Sequence, residues 1–103
     1  MNKQRTLQNI GLAMRAKALI TGEEFSLIEI KKKSAYLVFL ASDAGVNTTK
    51  RITDKCLFYE VPLITDFTSE EINKAIGKEN RKVVTITSQK FAKLLKESLN
   101  EIL

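Results

Sequence analysis

The stretch KALITGEEFSLIEIKKK, residues 17–33, sets the reading of the whole chain. A short apolar run of strand type, Ala18 to Ile20, is cut off by Thr21 and Gly22. Thr21 stands three residues before Glu24, the Thr-x-x-Glu spacing of a capping box, so the pattern predicts a helix running to about Lys33. Leu27 and Ile30 offer that helix a face for the core. The run Lys31-Lys32-Lys33 suits a helix C-terminus, where positive charge is favoured. Glu23 and Glu24 beside a glycine admit two readings. Either they cap the helix and compensate its dipole, or the glycine turn frees backbone N–H groups for a phosphate or a base edge.

Working outward, helical and strand periods alternate. Leu7, Ile10 and Met14 fall at helical spacing and predict a first helix ending near Arg15. Tyr36 to Ala41 is a continuous apolar strand of the kind buried on both faces. Asp43 to Val46 reads as a loop, and Asn47 as the N-cap of a helix through Tyr59. Pro62 opens a strand, Leu63 to Thr65, and Thr68 with Glu71 makes a second capping box for a short helix that ends at Gly77. A polar loop, Lys78 to Lys82, leads to the β-branched strand Val83 to Thr87. Phe91, Leu94, Leu95, Leu99 and Ile102 mark an amphipathic final helix with Lys93 and Lys96 on its solvated side. The alternation predicts an α/β fold, a three-layer α-β-α sandwich with a small mixed sheet of about four strands.

Composition narrows the function. The 103 residues are expected to form a single domain, 1–103, with a core that needs neither disulfides nor metal. The longest apolar run, Ala35 to Ala41, is far too short to span a membrane, and the basic N-terminus lacks the apolar core of a signal peptide. One cysteine, Cys56, fits a reducing cytoplasmic setting, where the triplet Asn47-Thr48-Thr49 would carry no glycan. The absence of histidine excludes His-based triads and His-ligated metals. Cys56 lies at helical spacing with Ile52, as a packed thiol would, and Gly77-Lys78 lacks the rest of a phosphate loop. No enzyme motif survives, and no cofactor is implied. Net charge is +5, and residues 1–51 hold nine Lys and Arg against four Asp and Glu, while the remainder is balanced at eight each. A localised positive field fits a polyanionic partner.

The segments GLAMRAKALITGEE (11–24), ASDAGVNTTKRITDKCLFYEVP (41–62) and AIGKENRKVVTITSQKFAKLL (75–95) resemble, in order and spacing, the kink-turn RNA-binding ribosomal proteins of the L-seven-Ae and L-thirty-e type. The bacterial YlxQ-like branch of that family is the nearest in pattern. The resemblance implies that the start of the second helix enters the groove of a kinked RNA internal loop and reads sheared G·A pairs. A loop before the last strand would cover a bulged nucleotide. Non-Watson–Crick RNA of this kind is recognised by shape and exposed base edges. The reading positions here are Gly22, Glu23, Glu24 and Phe25, with Lys78, Glu79, Asn80 and Arg81 in the covering loop. Lys17, Lys31, Lys32 and Arg81 would contact phosphates; Lys31 and Lys32 lie roughly 13–15 Å from Gly22 along the helix axis.

The window departs from the family pattern Gly-x-Asn-Glu-x-Thr-Lys, reading Gly22-Glu-Glu-Phe-Ser-Leu-Ile28. An ionised Glu24 accepts hydrogen bonds but cannot donate, and Ile28 removes a phosphate contact. Phe25 and Ile28 either form an exposed apolar patch or pack against the 78–82 loop. The sequence therefore points to a non-enzymatic, cytoplasmic, monomeric protein of structured RNA, ribosomal RNA included, active in translation, with no membrane, small-molecule substrate or metal. The rival is a protein-interaction module on the same fold whose RNA binding is weak or lost.

Overall fold

A computed structural model describes residues 1–101. In chain order it contains α1 (Lys3–Arg15), β1 (Leu19–Thr21), α2 (Glu23–Lys31), β2 (Leu37–Leu40), α3 (Val46–Phe58), β3 (Leu63–Ile64), α4 (Ser69–Ile76), β4 (Val83–Ile86) and α5 (Gln89–Leu99). The expected α/β sandwich with a four-stranded mixed sheet forms, in strand order β1-β4-β2-β3. β4 lies antiparallel between β1 and β2, and β3 runs parallel to β2. Every residue of β2 and β4 is buried, so apolar cover is needed on both faces. Ile10, Ala13, Phe39, Ile72, Val84 and Leu95 belong to the core on the side of α1, α4 and α5. Leu27, Ile30, Val38, Ile52, Cys56 and Val83 fill the side of α2 and α3. Burial pushes the Cys56 thiol up to about 11, the state of an inert core residue.

Local signals account for most helix starts. The Thr68–Glu71 capping box forms in full: Glu71 N–H donates to Thr68 Oγ1 at 3.2 Å and Thr68 N–H to Glu71 Oε1 at 2.9 Å. Asn2 and Ser88 cap α1 and α5 with their side chains. Two expected caps are corrected. Thr21 does not cap α2, because it belongs to β1, opposite Val84, and its hydroxyl accepts from Arg81 Nε instead. The helix starts one residue later, with Gly22 as N-cap, so Glu24 falls outside the box spacing. Likewise α3 begins at Val46 behind Gly45, which leaves Asn47 inside the first turn. α2 stops at Lys31, short of the expected Lys33, because Lys33 turns left-handed at φ 62°. Ile102, expected on the last helix, lies outside the described residues.

Strand directions define two poles. β1, β2 and β3 all run toward one pole, where α2, α3 and α4 begin and where the 77–82 loop enters β4. At the opposite pole lie the 16–18 and 32–36 connections, the end of α3 and the start of α5.

On the outer layer α1 and α4 cross closely at Gly11, where a Cβ would meet the Ala75 carbonyl oxygen at 2.9 Å. That neighbour is backbone and cannot swing aside. Gly11→Val, which gains little helix propensity over glycine, is therefore expected to lose about 1–3 kcal/mol in denaturant unfolding.

Candidate nucleic-acid interface

The pole where three helices begin starts from Gly22. Its N–H donates to the Val83 carbonyl at 2.9 Å, and its φ of 100° lies in the left-handed region that side chains avoid. The strand thus turns into α2 within one residue, and the first α2 amides face the pole. Glu23 and Glu24 follow on that first turn. Thr48 Oγ1 donates to Glu23 Oε1 at 2.5 Å, and one Arg51 nitrogen donates to both Glu23 and Glu24, at 2.9 Å to the latter. The Arg51 hydrogen bond, more than its charge, holds the Glu24 carboxyl below its usual range; the bond to Glu24 raises Arg51 in turn. Two carboxylates that would repel a polyanion are therefore tied to a cation from the neighbouring helix.

The covering loop is equally well anchored. Asn73 grips the backbone of Arg81 twice, accepting from its N–H at 3.0 Å and donating to its carbonyl at 2.9 Å. Arg81 Nε reaches Thr21 Oγ1 at 3.1 Å, linking the loop to the strand before the Gly22 turn. Asp43 joins the third helix start: Ser69 donates to it through N–H at 2.8 Å and through Oγ at 2.6 Å, and Lys82 Nζ stands 3.6 Å away. The Ser69 hydroxyl, then its N–H, lowers the Asp43 carboxyl to about 2. Between turn and loop runs an open groove of 570 Å³ lined by Thr21, Gly22, Phe25, Lys78 and Arg81.

Of the residues singled out from sequence, Gly22, Glu23, Glu24 and Phe25 thus meet Lys78, Glu79, Asn80 and Arg81 at one pole. Phe25 is 66 % and Ile28 51 % exposed, so neither packs away under the loop, while Leu27 and Ile30 are buried. Lys17, Lys31 and Lys32 stand at the other pole, all exposed. Sequence reading missed Thr48, Arg51, Asp43 and Asn73, whose contacts span eight to 28 positions. No local periodicity encodes such pairs. Among the described residues no group of three ligating side chains is placed to hold a metal ion, and no helix is long and apolar enough to cross a membrane.

A three-layer sandwich that gathers its helix starts and one clamped loop at a single pole defines a small domain of the ribosomal-protein type. The chain belongs to the ribosomal protein L7Ae/L30e/S12e/Gadd45 family, whose model matches residues 4–96. It is 48% identical over 96 residues to the RNA-binding protein YlxQ of Enterococcus faecium, covering 93% of this chain and 92% of that one. It is 43% identical over 86 residues to the RNA-binding protein YlxQ of Bacillus subtilis strain 168, covering 84% and 86%. A solved structure of a protein of unknown function from Bacillus halodurans superposes with a TM-score of 0.88 at 35% identity, over 94% of this chain and 98% of the other. The 15.5kD RNA binding protein of Giardia lamblia shares the fold, with a TM-score of 0.81 at 17% identity over 93% and 82%.

Two titrations check the polar framework. In Arg51→Gln the Glu24 carboxyl is expected to rise toward its ordinary value, read by NMR titration of its side-chain carbon. Asp43 is depressed in the folded chain, so its stabilisation is present above its ordinary 3.8 and is lost as pH falls toward about 2. Asp43→Asn should therefore melt below the parent at neutral pH, with the gap closing across that acid window.

Proposed function

We propose that the chain is a non-enzymatic RNA-binding protein that recognises a kinked internal loop with the Gly22 pole and acts on the ribosome or on structured RNA in translation. One observation carries the reading: the Gly22–Phe25 turn and the Lys78–Arg81 loop face each other across one groove. A helix start offers free N–H groups and a positive dipole end to phosphate or base edges. Phe25 is exposed beside them and supplies an apolar face on which an unstacked base can lie. Lys78 and Arg81 bring the charge, and Arg51 offsets half of the charge of the two glutamates. The names of the two YlxQ relatives support RNA as the ligand.

The departures at Glu24, Phe25 and Ile28 favour acceptor contacts to base amino groups and apolar contact over the phosphate contact that a lysine would give. Binding is accordingly expected to be weaker than in family members that keep the Asn, Glu and Lys of the pattern. A second reading, a protein-interaction module, draws on Leu57 and Phe58, exposed by 79 % and 77 % at the end of α3. Salt separates the two, since phosphate contacts weaken steeply with salt and an apolar interface does not.

The direct measurement is gel-shift or fluorescence titration of a kinked internal-loop RNA against a perfect duplex of equal length. Preference for the kinked RNA at near-physiological salt is the expected result, and equal affinity would leave only nonspecific attraction. Lys78→Glu should weaken the kinked complex and lower its log–log salt slope by about one. Lys74→Glu, the same charge change on the outer side of α4 toward α1, should weaken it far less.

A further inference from the structure

Charge is not shared evenly between the two poles once ion pairs are counted. At the Gly22 pole Arg51 is held by Glu23 and Glu24, Lys82 by Asp43, and Lys3 by Glu71, which leaves Lys78 and Arg81 with no carboxylate within 4.0 Å among the described residues. At the opposite pole, among the described residues, Lys17, Lys31, Lys33, Lys90 and Lys93 have no carboxylate within 4.0 Å; Lys32 has a single one, Glu29. α2 and α5 both pack on β4 from opposite faces of the sheet. The lysines at the end of α2 and at the start of α5 therefore flank the same strand end, where the Tyr36 N–H donates to the Ile86 carbonyl at 2.9 Å.

Tyr36 stands at this pole, just before β2. It is 37 % exposed and lines an open groove of 620 Å³ with Gln89, Lys90, Lys93, Lys96 and Glu97. With Asn100, the lining holds three cations, two amides and one ring against a single carboxylate. An aromatic platform among unpaired lysines is how proteins hold single-stranded nucleic acid, base stacked and backbone neutralised.

A backbone feature points the same way. Lys17 and Lys33 follow the caps of α1 and α2 in left-handed conformations, at φ 57° and 62°. Glycine occupies that position in α4, at φ 70°, and is the residue that takes it without strain. Glu60 and Asn80 also accept such strain, so it is no signature by itself. This pole holds three such residues, Glu60 after α3 as well as Lys17 and Lys33, and the two lysines are exposed with no carboxylate within 4.0 Å among the described residues.

We infer that the pole opposite Gly22 is a second RNA-contacting face, which holds a single-stranded segment between the Tyr36 ring and Lys17, Lys31, Lys33, Lys90 and Lys93. The inference rests on the RNA reading of the chain but not on what the Gly22 pole recognises. It gives the domain two contact faces on opposite ends of the sheet, able to hold a folded element and a neighbouring strand together. It also gives a role to Lys17 and Lys31, which stand at the opposite end of the sheet from the Gly22 turn.

The test uses two probes on the full chain: a fluorescent oligouridine of about 12 nucleotides and a kinked internal-loop RNA with short stems. Lys90→Glu with Lys93→Glu should weaken oligouridine binding at least tenfold and lower its log–log salt slope by about 1.4, with kinked-RNA affinity nearly unchanged. Lys74→Glu with Lys78→Glu makes the same charge change and should spare oligouridine. Tyr36→Leu should weaken oligouridine about fivefold or more. Lys17→Gly with Lys33→Gly relieves backbone strain, so it should raise the melting temperature while weakening oligouridine. A purely structural role for those lysines predicts no such loss. Equal loss of oligouridine by the two Lys→Glu doubles overturns the inference, as does its displacement by saturating kinked RNA. Polyglutamate competing as well as oligouridine, with Tyr36→Leu without effect, assigns the face to acidic proteins and also overturns it. If no variant prefers kinked RNA while oligouridine still depends on Lys90 and Lys93, the Gly22 reading falls and this face stands.

Discussion

β4 lies antiparallel in the middle of a sheet whose other strands are parallel to one another, and it is buried on both faces along its length. The rest of the architecture depends on that placement. With β4 between β1 and β2, the connections α2 and α3 each return a parallel strand, so both helices run back against the sheet and both begin at the same edge. The same geometry brings the loop before β4 to that edge. A groove between a helix start and a loop is the consequence of strand order, before any side chain is chosen. Burial of Val83 to Ile86 then makes the arrangement rigid, because a slip of one residue would turn every side chain of the strand to the other layer.

Side chains refine this scaffold chiefly by hydrogen bonding across elements. Arg51 comes from α3 and its two carboxylates from α2; Asp43 comes from the loop after β2 and Ser69 from α4; Asn73 holds the loop that follows its own helix. Each exposed ion pair by itself contributes little. Together they fix the relative positions of three helix starts, which is what a shape-reading surface requires. Glu23 and Glu24 share one cation, so Arg51 offsets half of their charge.

The fold was legible from sequence because it follows from local rules. The apolar runs at Leu37–Leu40 and Val83–Ile86, the Thr68–Glu71 box and the αL glycine Gly77 are each readable from a few neighbouring residues. The caps of α2 and α3 were misplaced because tertiary structure overrode a local signal. Thr21 had a capping spacing but was claimed by the β1–β4 ladder and by Arg81. For the site, the turn and the loop could be named from resemblance, yet Arg51 could not. Its role depends on two helices lying side by side, and no spacing in the sequence reports that. Lys31 and Lys32 show the converse. Proximity along the chain placed them near Gly22, whereas a nine-residue helix running antiparallel to the strands carries them to the other end of the sheet.

The separation of the poles also explains how +5 of net charge can act locally. Beyond about 8 Å at physiological salt an exposed charge is largely screened. α2 alone is about 13 Å long, so of the lysines at its end Lys31 lowers the Glu24 carboxyl, but less than Arg51 does. Each pole must therefore supply its own cations. The Gly22 pole has Arg81 and Lys78, since Arg51 is taken up by two carboxylates. At the opposite pole Lys90, Lys93 and Lys96 share a groove with the Tyr36 ring and Glu97. On the proposed reading of the two faces, recognition and retention are divided between the two ends of the sheet.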